Sequence, residues 1–307
     1  MDYIKEYKNY LLEEKKMSDN SIQAYYRDLM EFSKYMEEKG IKKFTSVSNT
    51  DVVAFVLKLK NDGKSSATVN RKVASLRAFY KYMVQKEYTR ENPVTNIKSP
   101  KIERKEIEYL TLEEVDKLLS LPDETTQKGI RDKAILELMY ATGIRVSELV
   151  EATCEDVNLR LGFITCSGEH GRARIIPMGR PARKAVEAYL YDVRPLSLKD
   201  EKEENTEEAE GKEAAPKELF LNYAGEKLTR QGLWKIIKDY AKLADLENKL
   251  TPQTLRNSFA VHMIQNGADL KSLQELMGHE DITATQIYLN VTKNRIKDVY
   301  DRTHPRA

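Results

Sequence analysis

The sequence predicts a mainly α fold with one small β-hairpin or sheet: an α+β chain made of a four-helix N-terminal domain and a larger, mostly helical second domain. Three observations predict it. Apolar residues recur at helical spacing through most of the 307 residues. One short stretch switches to strict alternation on both sides of a glycine-rich turn, and two prolines bracket a charged, non-periodic break between the halves.

Taken in order, Ile4 to Leu12 and Ile22 to Met36 place apolar residues on one stripe each, with Ser18 and Asn20 offering caps before the second. A third helix runs from Asp51 to Leu59, capped by Ser48, Asn49 or Thr50 and stopped at Asn61-Asp62-Gly63. The fourth, Ser66 to about Gln85, sets Arg71, Lys72, Arg77 and Lys81 beside the apolar set Val69, Val73, Leu76, Phe79 and Tyr80, a basic face suited to phosphate contact. The aromatics Tyr25, Tyr26, Phe32 and Tyr35 read as core. Pro93 and Pro100 mark the break, which divides the chain into a helical domain 1–95, a linker 96–108 and a second domain 109–307. In that domain, Thr111-Leu-Glu-Glu114 is a capping box opening a helix to Leu121, and Lys128 to Gly143 is a longer buried helix. Val157 to Met178 alternates around Ser167-Gly168-Glu169-His170-Gly171 and reads as a β-hairpin. Helices follow over Ala182 to Tyr191 and Arg230 to Ala244, separated by residues 199–217, an acidic stretch too poor in apolar residues to pack and expected as a disordered insertion.

Composition narrows the function classes. No long apolar run suggests a membrane span, and the charged opening MDYIKEYKNYLLEEKK does not resemble a signal peptide, so a cytoplasmic protein is expected. Cys154 and Cys166 make neither a disulfide framework nor a metal motif and read as core fillers. The net charge of +2 conceals an uneven distribution: residues 1–105 carry 22 Lys+Arg against 14 Asp+Glu, whereas residues 199–218 carry 4 against 9. A basic nucleic-acid-facing domain with an acidic excursion gives this asymmetry, and so does plain abundance of Lys and Glu on helical surfaces.

The chemistry is concentrated between Leu250 and Val291, a stretch that ends near Tyr288. A phenol, with an ordinary pKa of about 10, needs neighbouring cations to become a nucleophile. Arg256, His279 and, upstream in ATGIRVSELV, Arg145 are candidates. Two guanidinium forks and an imidazole suit a phosphodiester that passes through a transition state with extra negative charge.

GIRVSEL, then TLRNSFAVHMIQNGADLKSLQELMGH, then the IYLNV tyrosine and the His304-Pro305-Arg306 ending resemble the tyrosine recombinase (phage integrase) family, and within it the XerC/XerD type. The likeness covers nearly the whole chain and is carried by residues in family order at family-like separations. It implies that residues 1–95 form a core-binding, SAM-like DNA-binding domain and that 109–307 are catalytic. It further implies a site-specific recombinase in which Tyr288 attacks the scissile phosphate to give a 3′-phosphotyrosyl link. Arg145 and Arg256 would then clamp the phosphate and His279 donate a hydrogen bond to it. No cofactor and no metal are called for, in keeping with the lack of a P-loop or a carboxylate cluster.

Two positions depart from the family. Glu169 stands where the family has a hairpin lysine, and Gln253 stands where it has a histidine three residues before the second arginine. A carboxylate about 4 Å from a phosphate is repelled by roughly 1 kcal/mol in water and about 4 at an effective dielectric of 20, so Glu169 is not expected to face DNA as the lysine does. Arg172 and Arg174 remain as phosphate contacts. His170 could serve as an acid, though a histidine in a hairpin turn is more often a solvated side chain. Glutamine cannot take a proton from Tyr288, so slow or partner-dependent cleavage is expected. His262 reads as structural. The implied partners are double-stranded DNA, further copies or a sister recombinase in a homo- or hetero-tetramer on two DNA sites, and a DNA translocase. The competing reading is a catalytically silent DNA-binding paralogue with an architectural or regulatory role. A helical protein-interaction module, the third reading, would have no use for this constellation.

Overall fold

A computed structural model of the chain describes residues 2–98, 100, 106–168, 173–198 and 216–289. The expectations for Glu169, His170, Arg172 and most of the 199–217 stretch lie outside these residues. Two compact units divide at Lys105 and Glu106.

In the first unit, each helix starts where a short polar side chain can satisfy the free amides of the first turn. Asp2 caps α1 (Tyr3–Glu13), Ser18 caps α2 (Asp19–Glu38) and Ser65 caps α4 (Ser66–Gln85). Ser48 and Asp51 form a reciprocal capping box on α3 (Asn49–Asn61). The apolar stripes meet in one core in which Phe32, Phe55, Leu76 and Phe79 are fully or almost fully buried, and the Phe32 and Phe55 rings meet edge to face at 5.0 Å. Phe32 and Tyr35 are core, as expected, whereas Tyr26 is exposed and Tyr25 half-buried.

The basic face expected on α4 is corrected at Lys72. Its side chain points inward, 5% exposed, and its Nζ donates to Asp28 Oδ1 at 2.9 Å and to Glu31 Oε2 at 2.7 Å. Buried Asp28 needs these donors, and it also accepts from Ser75 Oγ at 2.8 Å and from Arg71. Lys72 therefore balances a buried carboxylate and is not free for DNA. Arg71 shares that carboxylate but keeps a half-exposed side chain, Arg77 donates to the Ile97 carbonyl at 2.9 Å, and Lys81 is exposed.

The second unit is organised around α6 (Gln127–Thr142), which is buried on most of its circumference and packs against α5 (Leu112–Ser120) and two later helices, over Arg180–Ala188 and Pro252–Gln265. Thr111 and Glu114 form the expected box at the start of α5. After α7 (Val146–Glu151) comes a three-stranded antiparallel sheet in the order β1 (Val157–Asn158), β2 (Phe163–Ser167), β3 (Ala173–Pro177). The hairpin is thus extended by a short third strand. Ile164 pairs with Ile176 and Cys166 with Arg174, so the period of two puts Arg174 on the inward face with Ile176. Cys166 is a core filler as expected, its thiol pushed up to about 12 by burial, and Cys154 is half-buried.

The helix expected to end at Tyr191 runs further, as α8 (Arg180–Ala188), a π-turn over Tyr189–Val193 and α9 (Arg194–Ser197). Three more helices follow: α10 (Arg230–Leu243), α11 (Pro252–Gln265) and α12 (Leu270–Met277), and residues 283–289 are again helical. A separate apolar cluster of Phe259, Ala260, Val261, Ile264, Leu273, Met277 and Tyr288 ties α11, α12 and that last turn together. Among the described residues no helix is long and apolar enough to cross a membrane.

The turn from α6 to Arg145 is tightly packed. Gly143 closes α6 in the left-handed region at φ 58°, and a Cβ there would stand 2.4 Å from Phe259 Cδ1. Gly143→Ala should therefore cost about 1–3 kcal/mol through combined backbone strain and overlap. An unchanged urea midpoint would show that Phe259 yields freely.

Candidate active site

Arg145 occupies the N-cap of α7, where its own amide donates to Glu148 Oε2 at 2.9 Å. Its guanidinium divides its donors: Nη1 goes to Glu148 Oε1 at 2.9 Å and Nη2 to the Gly278 carbonyl at 2.6 Å. Arg174, sent inward by the register of β3, grips Glu148 with both forks at 2.7 and 2.8 Å, and its Nε donates to the Leu276 carbonyl at 2.7 Å. Arg256, on α11 and 5% exposed, donates from Nη1 to the Gly143 carbonyl and from Nη2 to the Met277 carbonyl at 2.5 Å. Three successive carbonyls at the C-terminal end of α12 thus accept from three different arginines. Such carbonyls have no partner within their helix and carry its partial negative charge. Gly278 permits the approach: its φ is 61°, and a Cβ would stand 2.9 Å from Arg174 Nη1.

His279 follows directly. Its Nδ1 is 2.9 Å from Thr285 Oγ1 and its Nε2 is 3.4 Å from Arg256 Nη2. Burial, then the charges of Arg256, Arg145 and Arg174, push its pKa down to about 4. Burial and the charge of Arg145 likewise lower Arg256 to about 10. Tyr288 is 2% exposed and its hydroxyl donates to Asn257 Oδ1 at 3.1 Å. Burial raises the phenol pKa against the opposing pull of Arg256 and Arg145, so the cations expected to favour phenolate are present but outweighed in the free protein.

The four principal candidates, Arg145, Arg256, His279 and Tyr288, are therefore brought together. Gln253 is exposed and turned to Asn257, its Nε2 donating to the same Oδ1 at 2.9 Å. Arg174 corrects the expectation of a direct phosphate contact: its side chain is 11% exposed and its fork is committed to Glu148. His262 is structural, with Nδ1 2.9 Å from Tyr140 Oη between the edges of Tyr109 and Tyr140. Two contributors went unread in the sequence. Glu148 carries the spacing of a capping box after Arg145, a signal that was available. Asn257 meets a partner thirty-one positions away, for which there was none.

A cleft of about 590 Å³ opens beside Arg145, Arg174, Lys271, Gln274, Gly278 and His279. Glu275 and Glu280 also line this cleft, so Arg145, Arg174, Arg256 and Lys271 stand against Glu148, Glu275 and Glu280 with His279 neutral, which leaves a small positive excess suited to an anion bearing several acceptor oxygens. Burial alone would raise the Glu148 pKa, but hydrogen bonds from Arg174 and the Arg145 amide, with the charges of both arginines, pull it down to about 2. Because that value lies below the unfolded one, the stabilisation is complete above the ordinary carboxylate range and lost as pH falls through about 2. It amounts to about 3 kcal/mol. Urea unfolding of wild type and Glu148→Gln from pH 7 to pH 2 should converge at the acid end; a constant gap would contradict the coupling.

The phage integrase family profile matches residues 108–295, and the profile of the phage integrase N-terminal SAM-like domain matches residues 4–87. A tyrosine recombinase XerD of Listeria monocytogenes serotype 4b (strain F2365) is 43% identical over 307 residues, covering 100% of this chain and 99% of the relative. The XerD of Oceanobacillus iheyensis is 40% identical over 305 residues, covering 99% and 98%. In fold, the chain resembles a XerH site-specific recombinase bound to palindromic difH substrate in a post-cleavage complex, with a TM-score of 0.72 at 21% identity, covering 91% of this chain and 78% of that one. It also resembles the Tn1549 transposon integrase in complex with transposon right end DNA, with a TM-score of 0.71 at 21% identity over 99% of both chains. By its sequence profile, its full-length relatives and its fold, the chain belongs to the phage integrase family of tyrosine recombinases, in the XerC/XerD type.

Proposed function

We propose that this protein is a site-specific DNA recombinase that cuts and rejoins strands of double-stranded DNA through a 3′-phosphotyrosyl intermediate. The observation that carries the reading is the convergence of Arg145, Arg256 and His279 at the end of α12, in the same part of the unit as a buried, hydrogen-bonded Tyr288 that packs with Met277. In this scheme Tyr288 Oη forms a bond to phosphorus while the bond from phosphorus to the 5′-oxygen breaks. The phenolic proton is lost, and the 5′-oxygen leaves as a hydroxyl after taking up a proton. The ester energy is kept in the adduct, so a second hydroxyl can reverse the step without ATP.

Arg145 and Arg256 take the non-bridging oxygens, and their charges are worth most where the transition state adds negative charge in a partly dry site. Each already spends some donors on carbonyls, which fixes its fork in place before substrate arrives. His279 supplies a further hydrogen bond to the phosphate. Arg174 acts through Glu148, which orients Arg145. In the N-terminal unit, Arg71, Arg77 and Lys81 are the proposed phosphate contacts, without Lys72. The proposed working form is a homo- or hetero-tetramer on two DNA sites in the cytoplasm, with a sister recombinase and a DNA translocase as candidate partners.

A nicked duplex carrying the site found by mapping binding across the genome should trap a covalent protein–DNA adduct with the wild-type chain. Tyr288→Phe should abolish the adduct while retaining binding. Wild-type binding without any adduct would select the silent paralogue instead. Glu169→Lys, alone or with Gln253→His, should raise the cleavage rate at least tenfold, on the scale of about 10²–10⁴ that a positioned proton donor contributes. No gain, together with a loss on His170→Ala, would assign the proton donor to His170.

A further inference from the structure

One fully buried hydroxyl in the site has no role in the scheme above. Thr285 is 0% exposed and lies three residues before Tyr288 in the helical stretch 283–289. Its Oγ1 is 2.9 Å from His279 Nδ1, and the other ring nitrogen, Nε2, is 3.4 Å from Arg256 Nη2. A guanidinium only donates, so Nε2 faces it as an acceptor. The ring proton then sits on Nδ1 and is donated to Thr285.

The proposed reaction requires the reverse. A phosphodiester presents only acceptor oxygens to His279, so the ring must carry its proton on Nε2 to donate to it. A neutral ring protonated there leaves Nδ1 bare and in need of a donor. A carbonyl or carboxylate at this position could only accept, and an ammonium could only donate. A hydroxyl can do both through a single atom, by turning its hydrogen.

We propose that Thr285 is a positioning residue that sets the tautomer of His279, accepting from Nδ1–H in the free protein and donating to Nδ1 once a phosphate oxygen faces Nε2. This rests on the reading of His279 as a phosphate donor. In the exchange one proton leaves Nδ1 to solvent and one is taken up at Nε2, the threonine hydrogen turns about its C–O bond, and the imidazole stays neutral. The charges of Arg256, Arg145 and Arg174 oppose the alternative, a doubly protonated ring, in the free site. Gln274 binds the backbone carbonyl of His279 at 3.1 Å and leaves the ring free to exchange.

Thr285→Val keeps the shape and removes the hydroxyl, and Thr285→Ser keeps the hydroxyl. In the full chain labelled with ¹⁵N-histidine, long-range ¹H–¹⁵N spectra report which ring nitrogen is protonated, and the His279→Gln spectrum identifies the signals. Wild type and Thr285→Ser should read Nδ1–H when free and Nε2–H with saturating dimethyl phosphate, a phosphodiester without an O–H donor, while Thr285→Val should show no such exchange. On the nicked duplex, Thr285→Val should form adduct about tenfold more slowly, the factor of one ordinary hydrogen bond, with unchanged DNA affinity, and Thr285→Ser should restore the rate. Nε2–H in the free wild type, or wild-type rate and exchange in Thr285→Val, would overturn the assignment. Failure of every chain, wild type included, to form adduct would instead count against the proposed function, and the spectra would still decide the role of Thr285.

Discussion

Gathering like charges is the constraint on which this catalytic unit depends. Two guanidiniums about 4 Å apart repel by about 4 kcal/mol at an effective dielectric of 20, and burial adds to the cost. The fold offsets this with one carboxylate and the C-terminal end of one short helix. Glu148 accepts from both Arg145 and Arg174, and the carbonyls of Leu276, Met277 and Gly278 take one donor from each arginine. Four separate elements, α7, β3, α11 and the end of α12, are thereby brought to one point. Burial, and then the charge of Arg145, nevertheless lower the pKa of Arg256. The remaining positive charge is what an incoming anion would find.

Burial and charge together also explain the resting protonation states. Burial, and then the charges of Arg256, Arg145 and Arg174, keep His279 neutral, and burial keeps Tyr288 a phenol although two arginines pull the other way. A bound phosphodiester would supply negative charge opposite Arg256 and Arg145, while burial still opposes a doubly protonated His279. The empty site is thus poised by charge imbalance and needs little rearrangement of its arginines, which their carbonyl contacts already orient.

Much of this was legible in the sequence because helix and strand periodicity is local. Arg145, Arg256, His279 and Tyr288 were visible as residue types in order, the capping box at Thr111 and Glu114 as a spacing, and the hairpin as a change of period. Errors arose where charge was weighed above position. Lys72 lies three residues after Val69 and four before Leu76, on the buried stripe of α4, but its partner Asp28 is forty-four positions away. Arg174 lies two residues before Ile176 in a strand and so shares its inward face, yet the carboxylate that receives it belongs to another element. In both cases the pattern gave the direction of the side chain, and only the fold could supply the counter-charge.

The departure at Gln253 bears on where the phenolic proton can go. Asn257 Oδ1 accepts from Tyr288 and from Gln253 together, while its Nδ2 donates to the Glu108 carbonyl at 2.9 Å. An amide oxygen accepts a hydrogen bond but is not a base near neutral pH, so this contact favours the protonated phenol, as burial does. Two amides therefore hold the tyrosine where a histidine at position 253 could have taken its proton. For phenolate to form, Tyr288 must exchange Asn257 for the influence of Arg256 and Arg145, whose charges lower its pKa. The Tyr288 ring stands in an apolar cluster that also contains Phe259 and Met277. That cluster joins α11, α12 and the last helical turn, so the packing of that turn fixes where the Tyr288 side chain stands.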